Sequence, residues 1–305
     1  MLDIKQFHEK VLYPVVRVRA EEAGGSGTII YSKPNPENPD EYETFVLTNH
    51  HVVEKSIQTK ETWDSLLKKK TRREVLSRVA VEIFDYHDLS NVISSNSHQA
   101  DIVAYSANHD LALLKIDTPK KQQYVAEMYP RKEESKVKIS MPIYACGASL
   151  LHEPFANLGQ ITYLKEYIED ELYWMSNANS IFGNSGGAVF LADTGQFIGV
   201  PSRVTTMKLG FGVDVVTWMG FFAPIPRIYR FFEEQEMRFL YDEKDTYKKA
   251  LERRKRKQRK AMFEVIKDDE DEGEGIPSIT EEDGIGITIG SNGSTYVPIK
   301  NITLE

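Results

Sequence analysis

SIFGNSGGAVFL, residues 180–191, surrounds one hydroxyl, that of Ser185, with a backbone of unusual freedom. Gly183, Gly186 and Gly187 flank the serine, and an apolar, strand-like run from Ala188 to Leu191 follows it. A surface loop uses glycine for flexibility, whereas an active site uses it to aim backbone N–H groups at a substrate. The neighbouring sequence decides between them. From Val11 to Ile225, short runs of β-branched and aromatic residues recur between Gly, Pro, Asn and Asp, among them VVRVRA, GTIIYS, TFVLTN, VAVEIFDY, LALLKI, GAVFL and GFFAPI. Some dozen such runs at short spacing predict an all-β protein, built as antiparallel barrels or a sandwich. KPNPENPDEY (33–42), with three prolines and two asparagines, is predicted to be a loop.

Two regions break the β pattern. Between Thr59 and Arg78, the residues Trp63, Leu66, Leu67 and Leu76 recur at near-helical spacing beside Lys68, Lys69, Lys70, Arg72 and Arg73. That spacing predicts an inserted amphipathic helix with a basic face. After Ile225 a stripe of Ile228, Phe231, Phe232, Phe239, Leu240, Tyr247 and Leu251 predicts one long helix or two shorter ones. The stripe lapses at RRKRKQRK (253–260), and DDEDEGE (268–274) reverses the charge. The expected organisation is an N-terminal β-domain over 1–120 with the inserted helix at about 59–78 and a second β-domain over 121–226. A charged helical extension over 227–267 and an acidic linker and tail over 268–305 complete it.

A serine hydroxyl becomes a good nucleophile only when a base takes its proton, and an imidazole base needs a third group to hold its tautomer. TFVLTNHHVVE (44–54) is a β run ending in two histidines, and NHDLALLKI (108–116) places Asp110 directly before an apolar strand. A carboxylate at the mouth of a buried strand is costly without a donor, and His51 is the candidate. His50 competes with His51 for that role, and Asp88 and Asp101 compete with Asp110.

The order His, Asp, Ser, carried by TNHHVV, HDLALLKI and GNSGGAVF with GFFAPI downstream, resembles the trypsin-like (chymotrypsin-fold) serine peptidases. The HtrA-like bacterial branch is the nearest in pattern, and the likeness covers about residues 11–226. It implies two six-stranded antiparallel β-barrels. It also implies a serine endopeptidase with Ser185 as nucleophile, His51 as general base and Asp110 as the residue orienting it. The backbone N–H groups of Gly183 and Ser185 match the oxyanion hole. By register, Asn179 corresponds to the base of the primary pocket, and Pro201, Ser202 and Arg203 to the edge where substrate pairs as an added strand. Asparagine lacks the charge to hold a basic side chain, so small or aliphatic residues are expected there. The His51-to-Asp110 interval is long for that branch and no PDZ-like domain follows. These departures leave a second reading, a latent or inactive protease fold acting as a binding module through its helical tail or basic insertion.

Composition narrows the rest. The 305-residue chain carries a formal net charge of −8, which argues against general nucleic-acid binding, and only the basic run 253–260 speaks for it. The partners expected are a protein or peptide substrate and, through the C-terminal helix, a second copy of the chain. A single cysteine, Cys146, excludes an intrachain disulfide and fits a reducing compartment. The first residues lack a signal pattern and no run approaches a membrane span, so a cytoplasmic setting is expected. AGGSGTII lacks the P-loop lysine, and no metal-ligand spacing is present, so neither cofactor nor metal is expected.

Overall fold

A computed structural model describes residues 1–20, 23–64, 69–181, 183–209, 212–271, 288–289 and 295–298. Two short helices frame the start of the chain: α1 (Ile4–Phe7), capped by Asp3, and α2 (His50–Val53). The strands are β1 (Val15–Ala20), β2 (Ala23–Asn35), β3 (Asn38–Thr48), β4 (Ile57–Asp64), β5 (Lys69–Leu76), β6 (Val79–His87), β7 (Asn91–Ser106) and β8 (Leu111–Ile116). They continue with β9 (Pro142–Gly147), β10 (Phe155–Ile168), β11 (Glu171–Ser176), β12 (Ala188–Leu191), β13 (Phe197–Leu209) and β14 (Gly212–Pro224). Then come α3 (Ile225–Glu234), α4 (Tyr247–Asp271), β15 (Thr288–Ile289) and β16 (Thr295–Pro298).

Antiparallel pairing in the order β1-β2-β3-β8-β7-β6 closes one six-stranded barrel, and β10-β11-β14-β13-β12-β9 closes a second. The all-β expectation and the two barrels therefore stand. Period-two alternation places Val16, Val18, Phe45, Leu47, Val81 and Leu113 fully inside the first barrel's core. Ile143, Ile161, Tyr173, Phe190, Phe197 and Phe222 do the same in the second. SNVISSNSHQA (90–100), which stretches the His51-to-Asp110 interval, supplies most of β7 and pairs with β6 as barrel wall.

Three expectations are corrected. The inserted helix over 59–78 is instead a β-hairpin: β4 pairs with β5 from Ile57↔Leu76 to Asp64↔Lys69. The hairpin's backbone register sets Glu61 opposite Arg72, Thr62 opposite Thr71 and Asp64 opposite Lys69. A helix would instead stack Lys69 over Arg72 and Arg73, with like charges repelling one turn apart. The 33–42 loop shrinks to a turn at Pro36 and Glu37, because β2 and β3 pair out to Asn35↔Asn38. Prolines are tolerated there since a hairpin tip leaves edge positions that need no ladder donor. Finally, the helical extension, expected to end at 267, continues as α4 into the acidic block as far as Asp271.

The compact units do not follow the chain's linear order. One comprises Met1–Ser56 and Arg78–Phe232, with both barrels; the other comprises Ile57–Ser77 and Glu233–Glu305. Within the second, β15, β16, β5 and β4 form a four-stranded sheet in which β16 joins β5 in parallel. Near the start of α4, the Arg253 guanidinium reaches Glu236 (3.2 Å) and Asp245 (2.5 Å). The residues 272–287, 290–294 and 299–305 of the expected tail lie outside the described residues. No helix among the described residues is long and apolar enough to cross a membrane.

Candidate active site

Strand β3 ends at Thr48, and Asn49, extended and buried, precedes the single turn of α2. The Asn49 side-chain amide donates to the Asp110 backbone carbonyl (2.7 Å), which ties the histidine turn to the carboxylate turn. His51 then meets Asp110 twice. Its backbone N–H donates to Oδ1 (3.1 Å), and ring Nδ1 lies 2.9 Å from both carboxylate oxygens. Ser202 adds a third donor, its hydroxyl 2.5 Å from Oδ2.

Asp110 is 8% exposed and adopts φ +48, a left-handed backbone that non-glycine residues seldom take. Burial pushes its carboxyl pKa up; the His51 ring, the Ser202 hydroxyl and the His51 amide outweigh that and hold it below the ordinary carboxylate value. The rivals are occupied elsewhere. His50 stacks on Tyr105 at 5.3 Å, and burial lowers its pKa. Asp88 pairs with His87, and Asp101 with Arg78.

The serine loop is braced from the first barrel. Ser26 on β2 donates its backbone N–H to the Ser185 carbonyl (2.8 Å) and its hydroxyl to the Gly183 carbonyl (2.6 Å). The same Ser26 hydroxyl accepts from the Ala148 N–H (2.7 Å). Gly183 sits at φ +96, and among the described residues neither its N–H nor that of Ser185 has a hydrogen-bond partner. The Ser185 hydroxyl donates to the Ser202 carbonyl at 3.5 Å, a weak bond, and not to His51. The two are linked through Ser202, whose hydroxyl donates to Asp110 and whose carbonyl accepts from Ser185. A Cβ on Gly25 would lie 2.7 Å from Val52, the residue after His51, and 2.9 Å from the Ser185 carbonyl.

Gly186 shows how tightly the loop is held. Its φ is +85, and an added Cβ would fall 2.1 Å from the Ser26 carbonyl oxygen and 2.3 Å from Thr48 Oγ1. Gly186→Ala is expected to cost about 1–2 kcal/mol in backbone strain and about 1–3 kcal/mol in overpacking. Thermal unfolding should show a melting temperature lower by roughly 5–15 °C. An unchanged melting temperature would contradict this packing.

Residues 25–200, over half of the chain and spanning His51, Asp110 and Ser185, match the model of the trypsin-like peptidase domain. The chain belongs to that family. Solved structures with the same fold include the serine endoprotease from Yersinia pestis, at 18% identity and TM-score 0.51, covering 77% of this chain and 66% of that one. An HtrA-type protease, an AlgW variant with a tripeptide, aligns at 17% identity and TM-score 0.53, covering 79% of this chain and 64% of that one. Deg5 aligns at 20% identity and TM-score 0.51, over 74% and 90%. The chain thus spans slightly under two thirds of the length of the first two. No curated protein matches it by sequence.

In this trypsin-like peptidase domain the remaining anticipated residues are placed as follows. Asn179 is exposed, with its carbonyl accepting from Asn157 (2.8 Å). Its neighbour Ser180 is the buried residue, 3.1 Å from where a Cβ on Gly220 would stand. The Pro201 carbonyl accepts the Gly186 N–H (3.1 Å). Ser202, expected at the substrate edge, turns its hydroxyl to Asp110. Arg203 is engaged by Glu169 (2.6 Å) and the Tyr173 hydroxyl (3.1 Å). Two residues were not legible as site residues: Ser26, which sits in the glycine-rich AGGSGTII, and Asn49, whose side chain makes no capping bond to α2 and goes to Asp110 instead.

Proposed function

We propose that this chain is a serine endopeptidase that cleaves peptide bonds through an acyl-enzyme. The observation carrying this reading is the doubly bonded His51–Asp110 pair beside a serine whose loop carbonyls are pinned by Ser26. His51 takes the Ser185 proton as Oγ attacks the scissile carbonyl, once the hydroxyl turns from Ser202 to the ring; such contacts tighten when substrate binds. Asp110 holds Nδ1 protonated, which leaves Nε2 as the base. The Gly183 and Ser185 amides receive the developing oxyanion, and each such donor contributes about 10²–10³ in rate. His51 passes its proton to the leaving amine. A water, deprotonated by the same ring, then attacks the ester, and the acid product departs from a restored Ser185.

A fluorophosphonate probe tests the proposal directly, since it phosphonylates only a serine activated in this way. Intact protein should gain one adduct, mapped by peptide mass to Ser185, and should hydrolyse casein. A folded protein that neither labels nor cleaves casein would overturn the endopeptidase reading and favour a protease fold used for binding.

A further inference from the structure

Asp110 approaches His51 from one side of a turn whose other side is held by buried charges. His109, the preceding residue, is 3% exposed, and its Nδ1 lies 3.1 Å from Glu171 Oε1 on β11. The other carboxylate oxygen of Glu171 faces two cations of α3: Arg227 Nε at 3.4 Å and the half-exposed Arg230 in direct contact. Arg227 is 2% exposed and its guanidinium carbon lies 4.4 Å from the centre of the Tyr173 ring. Through Nη2 it donates to the Asn108 carbonyl (2.8 Å), and through Nη1 to the Leu172 carbonyl (3.5 Å). The turn 107–110, strand β11 and helix α3, which are far apart along the chain, therefore meet at one carboxylate and one guanidinium.

Charges removed from water in this way persist only when paired and hydrogen-bonded, and losing one partner strands the other. A structural ion cluster could sit anywhere in the core; this one grips two successive residues of a strained turn. Asp110 has φ +48, and such backbone is kept only where its surroundings over-determine it. Asn49 holds the Asp110 carbonyl, the Ala107 carbonyl holds its N–H (3.1 Å), and the Ser106 hydroxyl accepts the His109 N–H at 3.3 Å, but none of these fixes residue 108. Arg227 holds Asn108 by its carbonyl, and Glu171 lies within ion-pair distance of the His109 ring.

We propose that Arg227 and Glu171 form a clamp that sets the 107–110 turn, and so places the Asp110 carboxylate on His51, making α3 a positioning element of the site. Arginine is suited to this task because its planar fork serves the carbonyl, the carboxylate and the Tyr173 ring together. The catalytic consequence rests on the endopeptidase reading, whereas the geometric one does not.

The test compares full-length Arg227→Lys, Glu171→Gln and, as a half-exposed site that tolerates change, Arg230→Ala. The far-downfield proton resonance of the His51 Nδ1–H bonded to Asp110 reports the placement without requiring turnover. Arg227→Lys keeps the charge but loses the fork, and Glu171→Gln keeps the shape but loses the charge. With a cooperative melt retained, both should shift or broaden that resonance, and Arg230→Ala should do so less. kcat should fall on the order of 10–10²-fold at a nearly constant KM, the signature of a misplaced catalytic group. Folded variants with the wild-type resonance and kcat would overturn the clamp. If Arg227→Lys and Glu171→Gln fail to fold, Glu171→Asp, which keeps the charge but withdraws it by one methylene, is read in their place, and an unshifted resonance in it would overturn the clamp. Wild-type protein that shows the resonance but no turnover would refute the endopeptidase reading while leaving the clamp measurable.

Discussion

Ser185→Ala is expected to abolish fluorophosphonate labelling and to lower peptide hydrolysis on the order of 10⁶-fold, the scale of nucleophile loss in serine peptidases. The substitution removes one oxygen and little else. That oxygen has a single weak bond, to the Ser202 carbonyl at 3.5 Å, so folding should be untouched. Both proposed oxyanion donors are backbone groups and survive, so KM should hold and residual rate above that of water should persist. Progress curves with a peptide ester and a thermal melt separate the effects. Hydrolysis within tenfold of wild type, at an equal melting temperature, would remove Ser185 from the chemistry.

Asp110→Asn is the second large effect, an expected fall in kcat of about 10⁴-fold. The replacement has the same shape, yet three donors converge on the native carboxylate: the His51 ring, the His51 N–H and the Ser202 hydroxyl. An amide offers one acceptor oxygen and turns an NH₂ toward groups that are themselves donors. The imidazole then flips tautomer or swings away, and the base no longer faces Ser185. The buried donors left unpaired cost about 1–3 kcal/mol, so this variant, unlike Ser185→Ala, should also melt lower. Rates near wild type would show that His51 does not depend on Asp110.

The histidine rivalry shows where sequence was ambiguous. TNHHVV offers two adjacent imidazoles with nearly the same local preference. A one-residue difference in a helical turn sends His50 onto Tyr105 and His51 onto Asp110. The 59–78 segment failed for a related reason: four apolar residues in twenty fit a helical stripe, but the spacing cannot reveal that a strand pairing exists to satisfy the backbone. Ser26 was invisible because its importance lies in a partner about 160 residues away.

Alternation of apolar residues, glycine at positions of positive φ and the chain order of histidine, aspartate and serine are local properties. They were sufficient for an all-β chain and, through the family resemblance they carry, for the two barrels and for the candidate residues of the proposed chemistry. Which side chains meet is another matter. Ser202 on Asp110, Ser26 on the serine loop and Arg227 beneath the 107–110 turn are contacts between segments far apart in sequence. Their existence depends on two closed barrels packing at one relative position, and hydrogen bonds reaching only about 3 Å are made or lost by that placement.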